Sequence, residues 1–108
     1  MRLPQSVVVR REKLLQYLLV PRPTDDKSNF LLLGGFSRSN PDRLEEAILK
    51  LARIAESYED GKNEYGVFWR TEGNLVGPIA QLPVVLIWLQ WFADGSFHFV
   101  TLKPKRRE

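Results

Sequence analysis

The stretch LPVVLIWLQWFADGSFHFVTLK, residues 82–103, decides the fold. Two runs rich in apolar and aromatic residues flank Asp94-Gly95, a pair suited to the tight turn of a β-hairpin. The first run, Val84 to Leu89, stays apolar for six residues before Gln90 interrupts it. A bilayer span needs roughly 18 to 20 apolar residues. The stretch therefore predicts two paired strands of a sheet and no membrane anchor.

The alternation of side chains along this hairpin sorts them into two faces. With Asp94 and Gly95 at the centre of the turn, Trp88 is predicted to pair with Thr101. One face is almost wholly apolar and is expected to pack beneath helices. It comprises Val85, Ile87, Leu89, Trp91, His98, Val100 and Leu102. The other face is either a half-covered sheet surface or a surface that binds another molecule. It comprises Leu86, Trp88, Gln90, Phe92, Phe97, Phe99, Thr101 and Lys103.

Upstream of the hairpin, the hydrophobic period is helical. Leucines at helical spacing predict a helix over residues 10–20, and NFLLLGG at residues 29–35 predicts a short second helix that the two glycines end. A third helix is predicted from about residue 41 to about residue 57. Asn40 is its expected N-cap, and Pro41 suits its first position.

Between the third helix and the hairpin, the pattern changes to that of a strand. Residues 65–72 alternate, Gly73-Asn74 is predicted to turn, and residues 75–83 hold too many breakers to be regular. Helices first and strands second indicate an α+β fold. The sequence predicts one domain over residues 1–108, with three N-terminal helices packed on a mainly antiparallel sheet of three or four strands. A short basic tail is expected at residues 104–108.

The composition excludes several kinds of site. The chain has 108 residues, no cysteine and one histidine, His98, so disulfides and thiolate chemistry are ruled out. Glycine-rich phosphate loops are missing as well. We expect no metal, no cofactor and no membrane association, and a chain without cysteine suits a cytoplasmic location. His98 falls on the apolar face of the hairpin and is interpreted as a packed or rim residue, not as the base of a catalytic triad.

With these other sites excluded, acid–base or electrostatic chemistry on a phosphodiester remains as the candidate activity, and the basic ends of the chain either bind phosphate or only favour solubility. The net charge is +3, with 16 Lys and Arg against 13 Asp and Glu, and basic residues crowd both ends of the chain. Cleavage of RNA through its own 2′-hydroxyl requires a base, an acid and cations, and needs no metal. The candidates for cations and a hydrogen-bond donor are Lys27, Arg70, Thr101 and Lys103. Each of them is alternatively an ordinary surface residue.

Several short motifs, taken in order, resemble an uncharacterised family of small bacterial proteins. The family pattern runs KLxxYLL, KxxFF, GF, YG, LxGP, VW and VTAYP. The matching segments are KLLQYLL at 13–19, KSNF at 27–30, GGF at 34–36, EYG at 64–66, LVGP at 75–78, VVLIW at 84–88 and VTLKP at 100–104. The resemblance covers roughly residues 11 to 104 and depends on the order and spacing of these motifs.

By its layout, that family is similar to the compact nucleases that include barnase, EndoU, the tRNA-cleaving colicins and RelE, many of which are toxins paired with an antitoxin. The resemblance implies a nuclease-toxin-like α+β layout and an RNA substrate. Matched by motif, it implies Lys27 and Thr101 as catalytic groups and Trp88 as a substrate contact. Arg70 and Lys103 are the predicted phosphate contacts. This chain lacks the basic residue that the family carries after the LxGP motif.

A non-catalytic interaction module is the alternative. In that hypothesis the face with Trp88, Phe97 and Phe99 holds a small cognate partner, such as an antitoxin, or a second copy of the chain in a homodimer. The basic tail would then only favour solubility.

Overall fold

The structure, a computed structural model, describes residues 1–4, 6–20 and 27–105. Its helices are α1 (Arg11–Lys13), which continues into a π-helical segment (Leu14–Leu18), α2 (Ser28–Leu32) and α3 (Pro41–Ile54). Its strands are β1 (Ser57–Lys62), β2 (Gly66–Val76), β3 (Gln81–Trp91) and β4 (Phe97–Pro104). They form one antiparallel sheet in the order β1-β2-β3-β4, which confirms the predicted α+β class. Of the predicted basic tail at residues 104–108, the part from Arg106 onward lies outside the described residues.

Helix α3 is the long helix that packs against the sheet, and it contacts β2. Its buried residues recur at helical spacing, as predicted, and are Leu44, Ala47, Ile48, Leu51 and Ala52. Pro41 occupies the first turn, but the side chain of Asn40 does not cap the helix. Instead, Asn40 Oδ1 accepts a hydrogen bond from Ser37 N at 2.8 Å, and Asn40 Nδ2 donates one to Gly35 O at 3.0 Å. Asn40 therefore orders the turn before the helix.

The other helical segments are short. The π-helical segment is closed by a bond from Leu19 N to Leu14 O at 2.9 Å, and it contacts α3. Helix α2 has five residues and ends at the predicted glycine pair, where Gly35 takes a positive φ of 93°. The prediction that three helices pack on the sheet is wrong, because one long helix does so while two short segments complete the core beside it. No helix in the described ranges is long and apolar enough to cross a membrane.

Strands β2 and β3 have 11 residues each and form a continuous ladder. Gly73 lies inside β2 and not in the predicted turn, and a Cβ there would stand 2.6 Å from Leu51 Cδ1 of α3. The segment 75–83 was predicted to be irregular, but β2 continues to Val76 and β3 begins at Gln81. Only residues 77–80 form a turn between them, in which Gly77 N donates to Ala80 O at 3.1 Å. Strand β1 was not predicted, because its polar sequence SYEDGK shows no apolar alternation.

The β3–β4 hairpin has a longer turn than the predicted two-residue one. Asp94 Oδ1 accepts hydrogen bonds from Ser96 N at 2.9 Å and from Ser96 Oγ at 2.6 Å. Trp91 N then donates to Ser96 O at 2.9 Å and closes a wider loop. As a result Phe97 pairs with Gln90, and the register differs from the predicted one.

A β-bulge in β4 completes the change of faces. Trp88 pairs with Phe99, and the extra residue Val100 places Thr101 on the opposite face from both. Trp88 is 0% exposed, and Phe97 and Phe99 are also buried. The part of the predicted second face that carries Trp88, Phe97 and Phe99 is therefore the core face, whereas Thr101 and Lys103 lie on the outer face. The pattern alone was not decisive, because β3 carries large apolar residues on both sides.

The core lies between α3, the short helical segments and this inner face of the sheet. Its fully buried side chains include Trp88, Phe36, Leu14, Leu18, Leu31, Leu44, Ile48, Leu75, Leu86 and Leu102. Trp88 meets Phe99 edge to face, with ring centroids 5.5 Å apart. This packing commits one sheet face to the core, so the opposite face is the one open to other molecules.

Candidate functional site

The outer face of the sheet is the side turned away from the helices. By the observed register it carries Tyr58, Phe68, Arg70, Glu72, Val85, Ile87, Leu89, Trp91, His98, Thr101 and Lys103. Its apolar members on β3 are partly exposed, whereas their inner-face neighbours on the same strand are buried. Charged groups lie at one end of this face, and aromatic groups lie toward the β3–β4 turn.

A charged cavity of about 590 Å³ occupies one end of the outer face. Its lining residues are Asp60, Arg70, Glu72, Val85, Ile87, Lys103, Pro104 and Lys105. Three cations face two carboxylates there, so the cavity carries an excess of positive charge. Among the described residues, Lys103 forms no ion pair, which leaves its ammonium group available to an anion.

The other two cations of the charged cavity share one carboxylate oxygen. Arg70 Nη2 lies 3.5 Å from Glu72 Oε1, and Lys105 Nζ lies 3.7 Å from the same atom. Both distances are long for charge-assisted hydrogen bonds. Arg70 Nε is buried and has no hydrogen-bond partner within the described part of the chain. The Arg70 guanidinium therefore keeps donor capacity that its neighbours do not use.

The N-terminal segment extends the sheet beside β4. Val8 N donates to Phe97 O at 2.8 Å, and Phe99 N donates to Val8 O at 2.9 Å, in a parallel bridge. Side chains alternate along this segment, so Val7 and Val9 pack on the core. Arg10 of the same segment and Lys13 of α1 instead line a second cavity of about 230 Å³.

This second cavity, the histidine cavity, is lined by His98 of β4 together with Trp91, Arg10 and Lys13. The imidazole of His98 stacks on the indole of Trp91, with ring centroids 3.6 Å apart and planes 11° from parallel. His98 Nε2 lies 2.7 Å from Ser96 Oγ, and Ser96 Oγ donates to Asp94 Oδ1 at 2.6 Å. A chain of hydrogen bonds thus joins the imidazole to a carboxylate through one hydroxyl.

The electrostatics of this chain favour a neutral histidine beside an ionised aspartate. Burial is the main cause that lowers the pKa of His98; Asp94 raises it, and Arg10 lowers it further. The pKa of Asp94 is lowered because the hydroxyl and the backbone N–H of Ser96 donate to its carboxylate. At neutral pH the imidazole is therefore mostly unprotonated.

An apolar cavity of about 350 Å³ adjoins Trp91 near the turn of the hairpin. It is lined by Tyr65, Leu89, Trp91 and Ala93. Tyr65 is 66% exposed, so an aromatic ring is presented directly to solvent. Trp91 lines both this cavity and the histidine cavity, which makes the two neighbours on one surface.

The structure brings some of the sequence-predicted site residues together and separates others. Arg70 and Lys103 line the charged cavity, and Thr101 lies on the same outer face. Trp88 is buried on the inner face and so cannot meet a substrate at the outer face. Lys27 is 7% exposed on the helix side, with its ammonium nitrogen 5.4 Å from the centroid of the Tyr17 ring. Lys27 and Thr101 therefore do not share a site.

Sequence reasoning missed the groups around the histidine cavity. His98 was interpreted as a packed or rim residue because the predicted register placed it on the apolar face that was expected to be buried. The run Val7 to Val9 carried a usable signal, since consecutive β-branched residues favour extended backbone of the kind that bridges to β4. No group of three or more His, Cys, Asp or Glu is placed to hold a metal ion within the described ranges.

Comparisons with known proteins add nothing to this geometry. The chain matches no protein-family model, no curated protein and no solved structure. The resemblance drawn from the sequence motifs stays a prediction, and function is inferred from the outer face.

Proposed function

We propose that the chain is a small nuclease-like domain whose outer sheet face binds single-stranded RNA and cleaves it without a metal. The observation that carries this proposal is the placement of cations at both ends of one open face, with aromatic rings toward the turn. Arg70 and Lys103 lie at one end, and Arg10 and Lys13 at the other. Proteins bind single strands by such a combination of a basic track and stacking rings.

The spacing of these groups suits a strand of RNA laid along the sheet. Lys103 and His98 lie five positions apart on β4, which corresponds to roughly 16 Å along a strand. Thr101 lies between them on the same face and can donate a hydrogen bond to a phosphate or sugar oxygen. The backbone of an RNA can therefore contact both cationic ends while its bases reach Trp91 and Tyr65.

The motif resemblance supports the same proposal from an independent direction. The α+β class with one antiparallel sheet is the coarse feature that the chain shares with the layout the resemblance implies. A bacterial, cytoplasmic and toxin-related role is part of this proposal. A small acidic antitoxin would complement the cations of the outer face and cover it.

Binding is tested by fluorescence anisotropy with a short, labelled single-stranded RNA. The double change Arg70→Gln/Lys103→Gln should weaken binding and reduce the slope of log affinity against log salt by about 0.7 for each phosphate that is no longer neutralised. The matched control is Arg43→Gln/Lys50→Gln, which removes the same charge from exposed positions on α3. If RNA fails to bind, or if both double variants weaken binding equally, the outer face is not the RNA site.

Cleavage is tested with the same RNA by searching the products for a 2′,3′-cyclic phosphate. Thr101→Ala examines the sequence-predicted donor on the outer face and should slow cleavage. Lys27→Ala should slow it only by destabilising the fold, because Lys27 lies on the helix side of the sheet. Thermal melting of each variant separates these two causes.

A protein-interaction module is the second candidate, and the exposed aromatic end of the outer face favours it. Tyr65 and Phe92 are both more than half exposed, next to the apolar cavity. This surface replaces the one predicted around Trp88, which is buried. If RNA is not bound and Trp91→Ala abolishes self-association in sedimentation, the chain is an interaction module and the nuclease proposal fails.

A further inference from the structure

We infer that His98 is the general base of RNA cleavage, in a nucleotide site where Arg10 and Lys13 hold the phosphate and Trp91 and Tyr65 hold a base. This inference rests on the proposed function and names its reacting group. It stands on three features that meet at one place: a hydrogen-bonded imidazole, a small cationic cavity and an adjoining apolar cavity.

The hydrogen-bond chain selects the tautomer of His98. An ionised carboxylate only accepts hydrogen bonds, so the single hydroxyl proton of Ser96 points to Asp94. Ser96 Oγ must then accept from His98 Nε2, which places the imidazole proton on Nε2. The unprotonated Nδ1 of the neutral ring is left as the atom that can take a proton from a substrate.

The stack on Trp91 fixes the plane of the imidazole. With the ring planes 11° from parallel and the centroids 3.6 Å apart, His98 is held between the indole and the hydroxyl of Ser96. A base held in one orientation contributes more to catalysis than a mobile one, because less order must be imposed in the transition state. Partial burial of the ring also keeps it neutral, which is the form a base requires.

The cations of the histidine cavity suit a phosphate beside this base. Arg10 and Lys13 come from the N-terminal segment and α1, which the bridge of Val8 to β4 holds against His98. A positive charge beside a histidine disfavours protonation of its imidazole. The same charge attracts an anionic substrate. Arg10 thus helps to keep the base neutral, and Arg10 and Lys13 together attract the phosphodiester.

The apolar cavity gives the nucleotide a place for its base. Trp91 lines both this cavity and the histidine cavity, and Tyr65 adds an exposed ring to the lining of the apolar cavity. Bases of single-stranded RNA stack on such rings irrespective of sequence. A nucleotide placed in this way has its base at Trp91 and its ribose and phosphate at His98.

The reaction follows from these positions. His98 Nδ1 accepts the proton of the ribose 2′-hydroxyl, and the 2′-oxygen forms a bond to the adjacent phosphorus. The bond from phosphorus to the 5′-oxygen of the next nucleotide breaks, and that oxygen takes a proton from water. The products are a 2′,3′-cyclic phosphate and a free 5′-hydroxyl, and His98 returns its proton to solvent. Arg10 and Lys13 stabilise the charge that builds on the phosphoryl oxygens.

The test measures cleavage of RNA and, separately, binding of the same sequence with 2′-O-methyl riboses, which cannot be cleaved. His98→Ala should reduce the cleavage rate by about 10²- to 10⁴-fold while binding of the methylated RNA is retained. Added imidazole should restore part of the missing rate in His98→Ala. His98→Phe keeps a ring against Trp91 and should be equally slow but not restored, and melting curves check that both variants fold.

The pH profile gives a readout that a structural role would not affect. The charged groups that face His98 are Asp94 on the hairpin turn, Arg10 on the N-terminal segment and Lys13 on α1. Cleavage should rise with pH through a pKa below about 6.5. Arg10 lowers the pKa of His98, so Arg10→Gln should move the rise in cleavage rate to higher pH. Asp94 raises that pKa, so Asp94→Asn should move the rise to lower pH.

The outcomes separate this inference from the proposed function. If the protein binds methylated RNA but leaves ordinary RNA intact, or cuts it as fast with His98→Ala, the assignment of His98 is overturned and RNA binding stands. If neither RNA is bound or cut, the proposed function fails and the inference fails with it. Loss of cleavage with retained binding, together with rescue by imidazole, supports the inference.

Discussion

The indole Nε1 of Trp88 donates a hydrogen bond to Thr71 Oγ1 at 3.1 Å inside the core. Thr71 Oγ1 also lies 2.5 Å from Ser57 Oγ, so three neighbouring strands are joined through buried polar groups. Trp88 is fully buried, and a buried indole N–H needs an acceptor. Thr71 supplies that acceptor on the inner face, so Trp88 is satisfied only when it turns toward the helices.

Replacing Thr71 with valine should destabilise the fold markedly. The change keeps the shape of the side chain but leaves the N–H of Trp88 and the hydroxyl of Ser57 without their shared partner. We expect a loss of about 1–3 kcal/mol in the free energy of unfolding, measured by urea denaturation. Thr101→Val is the matched control, because it makes the same chemical change on the outer face, where the hydrogen bond from Thr101 Oγ1 to Leu102 O is long, at 3.4 Å.

The control should change the free energy of unfolding by no more than about 0.5 kcal/mol. Equal losses for the two valine variants would show that the buried network does not hold Trp88. Thr71→Ser retains the hydroxyl and should recover most of the stability that Thr71→Val loses.

The case of Trp88 shows what the sequence pattern could and could not decide. The paired strands, the α+β class and the buried stripe of α3 follow from hydrophobic periodicity, which needs no knowledge of the rest of the fold. The choice between two apolar faces of β3 depends instead on distant partners. Thr71 lies 17 positions away from Trp88 along the chain.

The candidate site could be predicted only where it depends on local sequence, and not where it depends on distant partners. Arg70, Thr101 and Lys103 were recognised as polar groups on strands, and the structure places all three on one face. The histidine cavity depends on Val8 bridging to β4 and on the bulge at Val100. Both are tertiary features, and neither leaves a mark in the local pattern around His98.

Truncation within the apolar stripe of α3 should be costly. Ile48 is 0% exposed, and Ile48→Ala would leave a cavity between the helix and the sheet. We expect a loss of about 2–5 kcal/mol in the free energy of unfolding, measured by urea or thermal denaturation. Ile54→Ala is the control on the same helix, because Ile54 is 59% exposed and should cost less than about 0.5 kcal/mol. Similar losses at both positions would mean that α3 does not pack on the sheet through this stripe.

The stability of the fold should fall when the pH drops below the ordinary pKa of histidine. The pKa of His98 is lowered in the folded state, so the unfolded chain binds a proton first as the pH falls below about 6.5. The folded state then loses stability until its own histidine is protonated as well. Melting temperatures between about pH 7.5 and pH 5 should show this fall, and His98→Phe should remove it.

The carboxylates with lowered pKa values change the stability of the fold at a lower pH than His98 does. The pKa of Asp94 is lowered by the hydrogen bonds from Ser96, and the pKa of Glu56 is lowered mainly by its hydrogen bond from the N-terminal ammonium group. Stability from these groups is present above their ordinary pKa values and is lost only as the pH falls through the lowered ones. If the melting temperature of His98→Phe falls as steeply as that of the unchanged chain near pH 6, His98 is not the group responsible.

Neutralising Glu72 should strengthen the binding of RNA to the outer face. Glu72 Oε1 lies 3.5 Å from Arg70 Nη2 and 3.7 Å from Lys105 Nζ, so it competes with a phosphate for both cations. Long, partly exposed pairs of this kind are worth about 0.2–1 kcal/mol, so Glu72→Gln should tighten binding up to about fivefold. Anisotropy titrations should show the gain shrinking as salt is added. Glu46→Gln on the exposed side of α3 should change nothing, and weaker binding by Glu72→Gln would mean that Glu72 orders Arg70 for the RNA.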